Sequence, residues 1–250
     1  MERSLLLGCI LLSILGGGSR ALFAQDVAPG VDLQFVGHEC FLLTTSGGTR
    51  ILMDPYDDRP FGLASVPSDL APDAVTVSHN HSDHSNIACA PNTAQILRTA
   101  GTYNVGDVTV TGYAGFEGSP FGPSKNAHVV FVFDVAGVKI VHLGDSGPVT
   151  DPEALAAITN ADVVIVNIDG YVIPAGKILP FLTEIRARTV LIGHYTVVAS
   201  APFSGAPTVD QFFATLPEGV ARVKSAENSL RVIPGMPEQI VALTPSGLTK

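Results

Sequence analysis

The chain has 250 residues, a formal charge of −9, 46% hydrophobic side chains and only 15% charged ones. That length and apolar content suit one domain with a substantial core, and neither a low-complexity segment nor a short-period repeat is visible. The acidic balance, with no basic run or aromatic platform to offset it, argues against binding driven by phosphate-backbone neutralisation, so nucleic acid is not an expected partner.

Met1 to Ala24 reads as a secretory signal peptide, with Arg3 in a short leading region, an apolar core from Leu5 to Leu15 and small residues up to Ala24. The core is shorter than the about 20 apolar residues of a membrane span. Residues 25–250 are therefore expected as one exported domain, periplasmic or secreted, with no span left after cleavage. Leu6-Leu7-Gly8-Cys9 resembles a lipoprotein box, but Cys9 precedes most of the apolar core. Cys40 and Cys89 remain, and the sequence does not decide between a pair and two small buried thiols.

Val31 to Phe35, Phe41 to Thr45 and Arg50 to Met53 read as strands, with Ser46-Gly47-Gly48 turning between the last two. Asp54-Pro55 opens a loop, because proline and aspartate do not extend a central strand. Ala74 to Val77, Gln95 to Leu97 and Val108 to Thr111 are further short strands, and Val129 to Phe133 with Val138 to His142 read as a hairpin around Gly137. A helix is expected over Pro152 to Ile158, where Asp151 caps and proline takes the first helical position. Then come a strand at Val163 to Val166, a helix at Ala175 to Ile185, a strand at Thr189 to Ile192 and a helix at Val209 to Leu216. Val220 to Val223, Ser229 to Val232 and Gln239 to Leu243 close the chain as strands.

His79-Asn80-His81-Ser82-Asp83-His84 follows the strand at Ala74 to Val77 and packs three of the seven histidines into six positions. Imidazole and carboxylate are ligands for zinc, iron and manganese, and alternate positions of an extended segment project the same way. His79 and His81 can grip one ion, while Asp83 and His84, where the chain must turn, can face a second ion or a water. The plainer alternative is a solvated loop or helix start, since Ser82, Asp83 and Ser85 are all capping residues.

The segment resembles the HxHxDH motif of the metallo-β-lactamase superfamily. Gly37-His38-Glu39-Cys40 with Met53-Asp54-Pro55 is similar to its opening hairpin, Leu143-Gly144-Asp145 to its later Gly-Asp element, and Gly193-His194-Tyr195 to its terminal histidine. Among its branches the chain most resembles the small, simple metal-dependent hydrolases of the ascorbate-phosphate lactonase type. The resemblance implies an α/β fold, a four-layer αββα sandwich, holding one or two divalent ions; zinc is favoured by export, with iron and manganese also suited to the donors. It assigns His79 and His81 to a first ion, Asp83, His84 and His194 to a second, and Asp145 to both. It places Asp54 behind the ligands and His38 at the mouth of the pocket, behind the ligands or against substrate.

One expected ligand is missing: Tyr113-Ala114-Gly115-Phe116-Glu117, where the resemblance would place a third histidine for the first ion, contains none. Glu117 or Tyr113 could substitute through oxygen, or water could complete the site; His128 and His142 fall on hairpin strands and suit packing better. The implied activity is hydrolysis of an ester, lactone, amide or phosphoester bond in a small molecule by a metal-bound hydroxide, with Asp83 orienting the water and accepting its proton. The rival reading is a non-catalytic metal-binding protein with a degenerate first site.

Overall fold

The computed structural model describes residues 30–57, 63–118, 126–197 and 205–246; the expected signal segment lies outside the described residues. In chain order the strands are β1 (Val31–Gly37), β2 (Cys40–Thr45), β3 (Arg50–Met53), β4 (Ala74–Thr76), β5 (Gln95–Leu97), β6 (Gly101–Val105), β7 (Val108–Phe116), β8 (Ala127–Val135) and β9 (Val138–His142). Then come α1 (Pro152–Ile158), β10 (Val163–Asn167), α2 (Ala175–Glu184), β11 (Thr189–Gly193), α3 (Val209–Thr215), β12 (Arg222–Lys224), β13 (Ser229–Val232) and β14 (Gln239–Ala242). They form two mixed sheets, ordered β13-β1-β2-β3-β4-β5 and β12-β14-β11-β10-β9-β8-β7-β6.

Alternation along the first sheet sorts its side chains into two layers. Leu33, Phe35, Phe41, Leu43, Ile51 and Met53 face the second sheet in the main core. Leu42, Leu52 and Val75 face outward and are covered by Tyr56, Leu63, Val66 and Leu70. The outer cover of this sheet is built from extended chain and short 3₁₀ turns at Ser68–Leu70 and Ile87–Cys89. The second sheet carries the α-helices: Ile158 of α1, Ile178 and Leu182 of α2 and Phe212 of α3 join the core on its outer side. Strands β10 and β11 are buried at every position, as parallel strands covered on both faces must be.

Helix starts follow their sequence signals. The Asp151 carboxylate accepts from the Ala154 amide at 2.9 Å ahead of Pro152, and Thr208 with Gln211 forms a reciprocal capping box on α3. Three features differ from the sequence reading. β6 is an additional edge strand pairing with β7, and β7 runs on to Phe116. β13 leaves the sheet of its neighbours in sequence and pairs antiparallel with β1, closing the edge of the first sheet.

The two phenylalanines Phe131 and Phe133 are fully buried on β8. Phe133→Ala is expected to destabilise the fold by about 3–5 kcal/mol in urea unfolding, through lost burial and the cavity left behind. Val223→Ala, on the half-exposed edge strand β12, should change stability by no more than about 0.5 kcal/mol.

Candidate metal centre

Parallel pairing sets the site. β3 and β4 run side by side with Met53 opposite Thr76, so the residues just beyond their carboxyl ends, Asp54 and Ser78, are brought together. In the second sheet β9, β10 and β11 are parallel, with His142 opposite Ile165 and Asn167 opposite Gly193. Asp145, Asn167, Asp169 and His194 therefore gather at one end of that sheet, where ligands of open α/β sheets are held. Backbone bonds knit the two ends: the His194 amide donates to the His38 carbonyl at 2.7 Å, and Val129 to Ser78 at 2.8 Å.

The result is a ring of imidazoles and carboxylates. His79 Nε2 lies 3.0 Å from His81 Nδ1 and 3.7 Å from Asp145 Oδ2. His84 Nε2 lies 3.5 Å from Asp145 Oδ2 and 3.6 Å from Asp83 Oδ2. His194 Nε2 lies 3.8 Å from Asp83 Oδ2 and 3.9 Å from Asp145 Oδ1. Asp145 thus reaches both the His79–His81 side and the His84–His194 side. The six residues that the resemblance assigns to the ions, His79, His81, Asp83, His84, Asp145 and His194, all lie within this ring.

His38 and Asp54 stand behind it. His38 Nε2 donates to Asp83 Oδ2 at 3.2 Å, and its ring packs on that of His194 with centroids 3.9 Å apart. Burial and the neighbouring His194 push the His38 imidazolium down to about 3, against the pull of Asp83, so the ring is neutral. Asp54 is fully buried. Its Oδ1 accepts from the Ser78 amide at 2.7 Å, and its Oδ2 accepts from the Ser78 hydroxyl and from His84 Nδ1, the latter at 2.9 Å. Burial works against the Asp54 charge, but His142, His84 and Ser78 outweigh it and hold the carboxyl at about 2.

Asp54 also fixes two tautomers. Because it accepts a hydrogen bond from His84 Nδ1, the lone pair of that ring, when neutral, is on Nε2, facing Asp83 and Asp145. Because it takes the Ser78 hydroxyl proton, Ser78 Oγ must accept from His79 Nδ1 at 3.0 Å, which leaves the His79 Nε2 lone pair facing His81. Burial, the first effect on His84, lowers its pKa, yet Asp145, Asp54 and Asp83 overrule it and raise the imidazolium to about 10. Asp145 and Asp83 themselves lie well below the usual carboxylate range, since surrounding imidazoles and, for Asp145, the Asn167 amide outweigh desolvation.

Glu117 joins the ring and Tyr113 does not. The Glu117 carboxylate is buried, with Oε1 3.7 Å from His81 Nδ1; Tyr113 lines an apolar cleft instead. His128 is buried behind His79 at 5.5 Å between ring centroids, and burial pushes it to about 3; His142 is buried beneath Glu39. Neither belongs to a donor group. Cys40 and Cys89 are free thiols.

Sequence reasoning missed Asn167, Asp169 and Asn126. Asn167 Nδ2 donates to Asp145 Oδ1 at 2.6 Å, Asp169 Oδ2 is 3.5 Å from His194 Nδ1, and Asn126 Nδ2 donates to Glu117 Oε2 at 2.6 Å. Asn167 and Asp169 carried the signal that pointed to Asp145, polar residues at the carboxyl end of a buried strand.

Three of the site residues are in strained backbone conformations. His38, Asp54 and His194 all adopt left-handed backbone conformations, with φ of 55°, 39° and 54°. Gly144, with φ of 53°, lies so close to Ser78 that a Cβ would come within 2.6 Å of its hydroxyl.

A family model described as a Beta-lactamase superfamily domain matches residues 32–194. A UPF0173 metal-dependent hydrolase of Thermoplasma acidophilum is 31% identical over 160 residues, covering 54% of this chain and 69% of its own. One from Natranaerobius thermophilus is 28% identical over 189 residues, covering 65% and 82%. A crystal structure from Thermotoga maritima, assigned to the metallo-β-lactamase superfamily, superposes with a TM-score of 0.62 at 25% identity over 85% of this chain and 98% of that one. A metallo hydrolase from Ignicoccus hospitalis shares the fold, with a TM-score of 0.57 at 18% identity over 73% and 88%. With the topology, the order of the ring segments and these relatives in agreement, the chain belongs to the metallo-β-lactamase superfamily and is one of its metal-dependent hydrolases.

Proposed function

We propose that this hydrolase is exported and cleaves an ester, lactone or amide bond in an uncharged, partly apolar small molecule, using two divalent cations held in the ring. His79, His81 and Asp145 would hold one ion, and Asp83, His84 and His194, with Asp145 again in reach, would hold the other. The observation that carries this reading is the pair of facing donor groups joined by Asp145 at a cavity of about 500 Å³.

The residues fit such ions. His84 Nε2 is completely buried without a hydrogen-bond partner among the described residues, an orphaned ring nitrogen facing Asp83 and Asp145. Two ligands of a tetrahedral ion at about 2.0–2.1 Å stand about 3.3 Å apart, and the donor separations of 3.0 to 3.9 Å bracket that value. Imidazole and carboxylate suit zinc, and an exported setting favours it, with iron and manganese accepted by the same donors.

A bound divalent cation supplies Lewis acidity, drawing the pKa of water from about 15.7 toward about 7 and polarising the oxygen of the scissile carbonyl. Asp83, the more exposed carboxylate of the second group, orients the attacking water and takes its proton. His38 keeps Asp83 aimed by donating from Nε2, and its neutral ring adds no competing charge. Asp169 and Asn167 orient His194 and Asp145 from behind.

The cavity walls favour a carboxylic substrate over a phosphoester. Among the described residues lining it there is no lysine or arginine to meet a phosphate, while Asp83, Glu117, Asp145 and Asp169 all face it. Glu117 also borders a neighbouring apolar cleft of about 510 Å³ walled by Phe116, Val130, Val149 and Val172. Phe116 and Tyr171 are among the few large hydrophobic side chains left exposed, and they flank these two spaces. Export rests on the apolar run from Leu5 to Leu15 and the small residues before Gln25.

Loss of partners behind metal ligands costs about 10–100-fold in affinity or activity. Asp145→Ala, which removes the shared ligand itself, should lower hydrolysis by more than about 100-fold and reduce bound metal in elemental analysis; unchanged metal content would remove Asp145 from the site. Asp54→Asn should weaken metal binding by about 10–100-fold at an unchanged fold by circular dichroism, because an amide cannot accept from both His84 and Ser78 in the same way. In a series of acyl esters, kcat/KM should rise by up to about fourfold per added methylene, corresponding to about 0.8 kcal/mol. Phe116→Ala and Tyr171→Ala should flatten that slope, mainly through KM.

A further inference from the structure

The resemblance read from the sequence implies three histidines for the first ion, whereas the first donor group here consists of His79, His81 and the carboxylates Glu117 and Asp145. Building on the two-ion reading above, we propose that Glu117 is the fourth ligand of the first ion, giving that site two nitrogens and two oxygens and a preference shifted toward a harder divalent cation, manganese or iron, relative to a three-histidine site.

Placement comes first. Glu117 follows directly on β7, and an isolated bridge pairs it with Ser146, the residue after Asp145. The Gly118 amide donates to the Asp145 carbonyl at 2.8 Å, and the Gly147 amide to the Phe116 carbonyl at 3.3 Å. Glu117 and Asp145 are thus fixed against each other by main chain, and the pairing presents both carboxylates to His79 and His81. Their four donor atoms lie within 4.8 Å of one another, the compactness one cation requires.

Orientation comes next. The Asn126 amide donates to Glu117 Oε2 at 2.6 Å, leaving Oε1 to face His81 Nδ1 at 3.7 Å. That is the support typical of a ligating carboxylate: one oxygen anchored from outside, the other offered inward. The distance to His81 is too long for a direct hydrogen bond and close to the about 3.3 Å expected between two ligands of one ion. His79 Nε2 faces His81 Nδ1 at 3.0 Å, so the three donors surround a common point.

Charge supplies the consequence. With Glu117, the carboxylates Asp83, Asp145 and Glu117 place three negative charges against the four positive charges of two divalent ions. A histidine in its place would leave only two. Oxygen-rich donor sets suit manganese and iron(II) better than nitrogen-rich ones, which favour zinc. The site also reaches four protein ligands, so the first ion does not depend on His79, His81 and the shared Asp145 alone.

The test uses the full-length protein, stripped of metal and re-equilibrated with buffered zinc or manganese, with bound metal read by elemental analysis and manganese by electron paramagnetic resonance. The wild type should hold two ions per chain. Glu117→Gln, which keeps size and a hydrogen-bond acceptor but loses the anion, should weaken one ion by at least about tenfold and simplify the coupled dimanganese signal to that of an isolated ion. Glu117→His should keep two ions while raising the ratio of zinc to manganese affinity at the weakened position by at least about tenfold relative to wild type. If Glu117→Gln and Glu117→His both bind two ions with wild-type affinities and preference, Glu117 is only a hydrogen-bonding neighbour of His81 and the proposal falls. A wild type that binds no ion, or an Asp145→Ala protein with unaltered binding, would overturn the two-ion reading itself, a result separable from the role of Glu117.

Discussion

The carboxylate of Asp54 is the interaction on which the rest of the site depends. An ionised side chain with no exposure to water is costly unless it is fully hydrogen-bonded. Asp54 meets that condition by accepting hydrogen bonds from the Ser78 amide, the Ser78 hydroxyl and His84. Each of those bonds also sets something outward of it. The Ser78 amide bond fixes the start of the His79–His84 loop, the hydroxyl bond determines which nitrogen of His79 carries hydrogen, and the His84 bond does the same for that ring. One buried charge therefore decides how two imidazoles present their lone pairs, and it can do so only because the parallel pairing of β3 and β4 ends in register.

The same logic of strand ends governs the second sheet. Asp145, Asn167, Asp169 and His194 come from three successive parallel strands, so a rigid sheet sets their spacing rather than loop conformation. The chain accepts backbone strain in exchange: His38, Asp54 and His194 all sit in left-handed conformations that non-glycine residues seldom adopt. Such geometry persists because hydrogen bonds over-determine it. The His194 amide is held by His38, and the Asp54 amide by the Thr76 carbonyl at 3.0 Å.

Much of this was legible in the sequence because it is local. The histidine motif, the strand that delivers it and the capped start of α1 are patterns of a few neighbouring residues, and they stand where expected. What the sequence withheld depends on long-range pairing. Nothing local to Ser229–Val232 says that this strand crosses to β1 while β12 and β14 stay in the other sheet. Asn126 looks like loop until β8 carries it beside Glu117, and Asn167 looks like the last residue of a strand until the parallel register sets it behind Asp145. The choice between Glu117 and Tyr113 did not turn on which face of the extended β7 each residue takes. Neighbours of opposite parity face opposite sides, but these two share parity, and it is the bridge to Ser146 beyond the strand end that draws Glu117 into the ring.

The proposed ions lie at the seam where the two sheets meet, which ties catalysis to stability. The motif loop and Asp54 belong to the first sheet, whereas Asp145 and His194 belong to the second, so an ion shared by both groups cross-links segments distant in sequence. Among the described residues, the main-chain bonds that span this end include Val129 to Ser78 and His194 to His38. A ligand that binds only the folded state stabilises it by RT ln(1 + [L]/Kd), about 2.7 kcal/mol at a hundredfold excess over Kd. That is a sizeable fraction of a typical domain's net stability. The residues that serve the reaction would therefore also tie the two sheets together, which is why so much buried hydrogen bonding holds them in position.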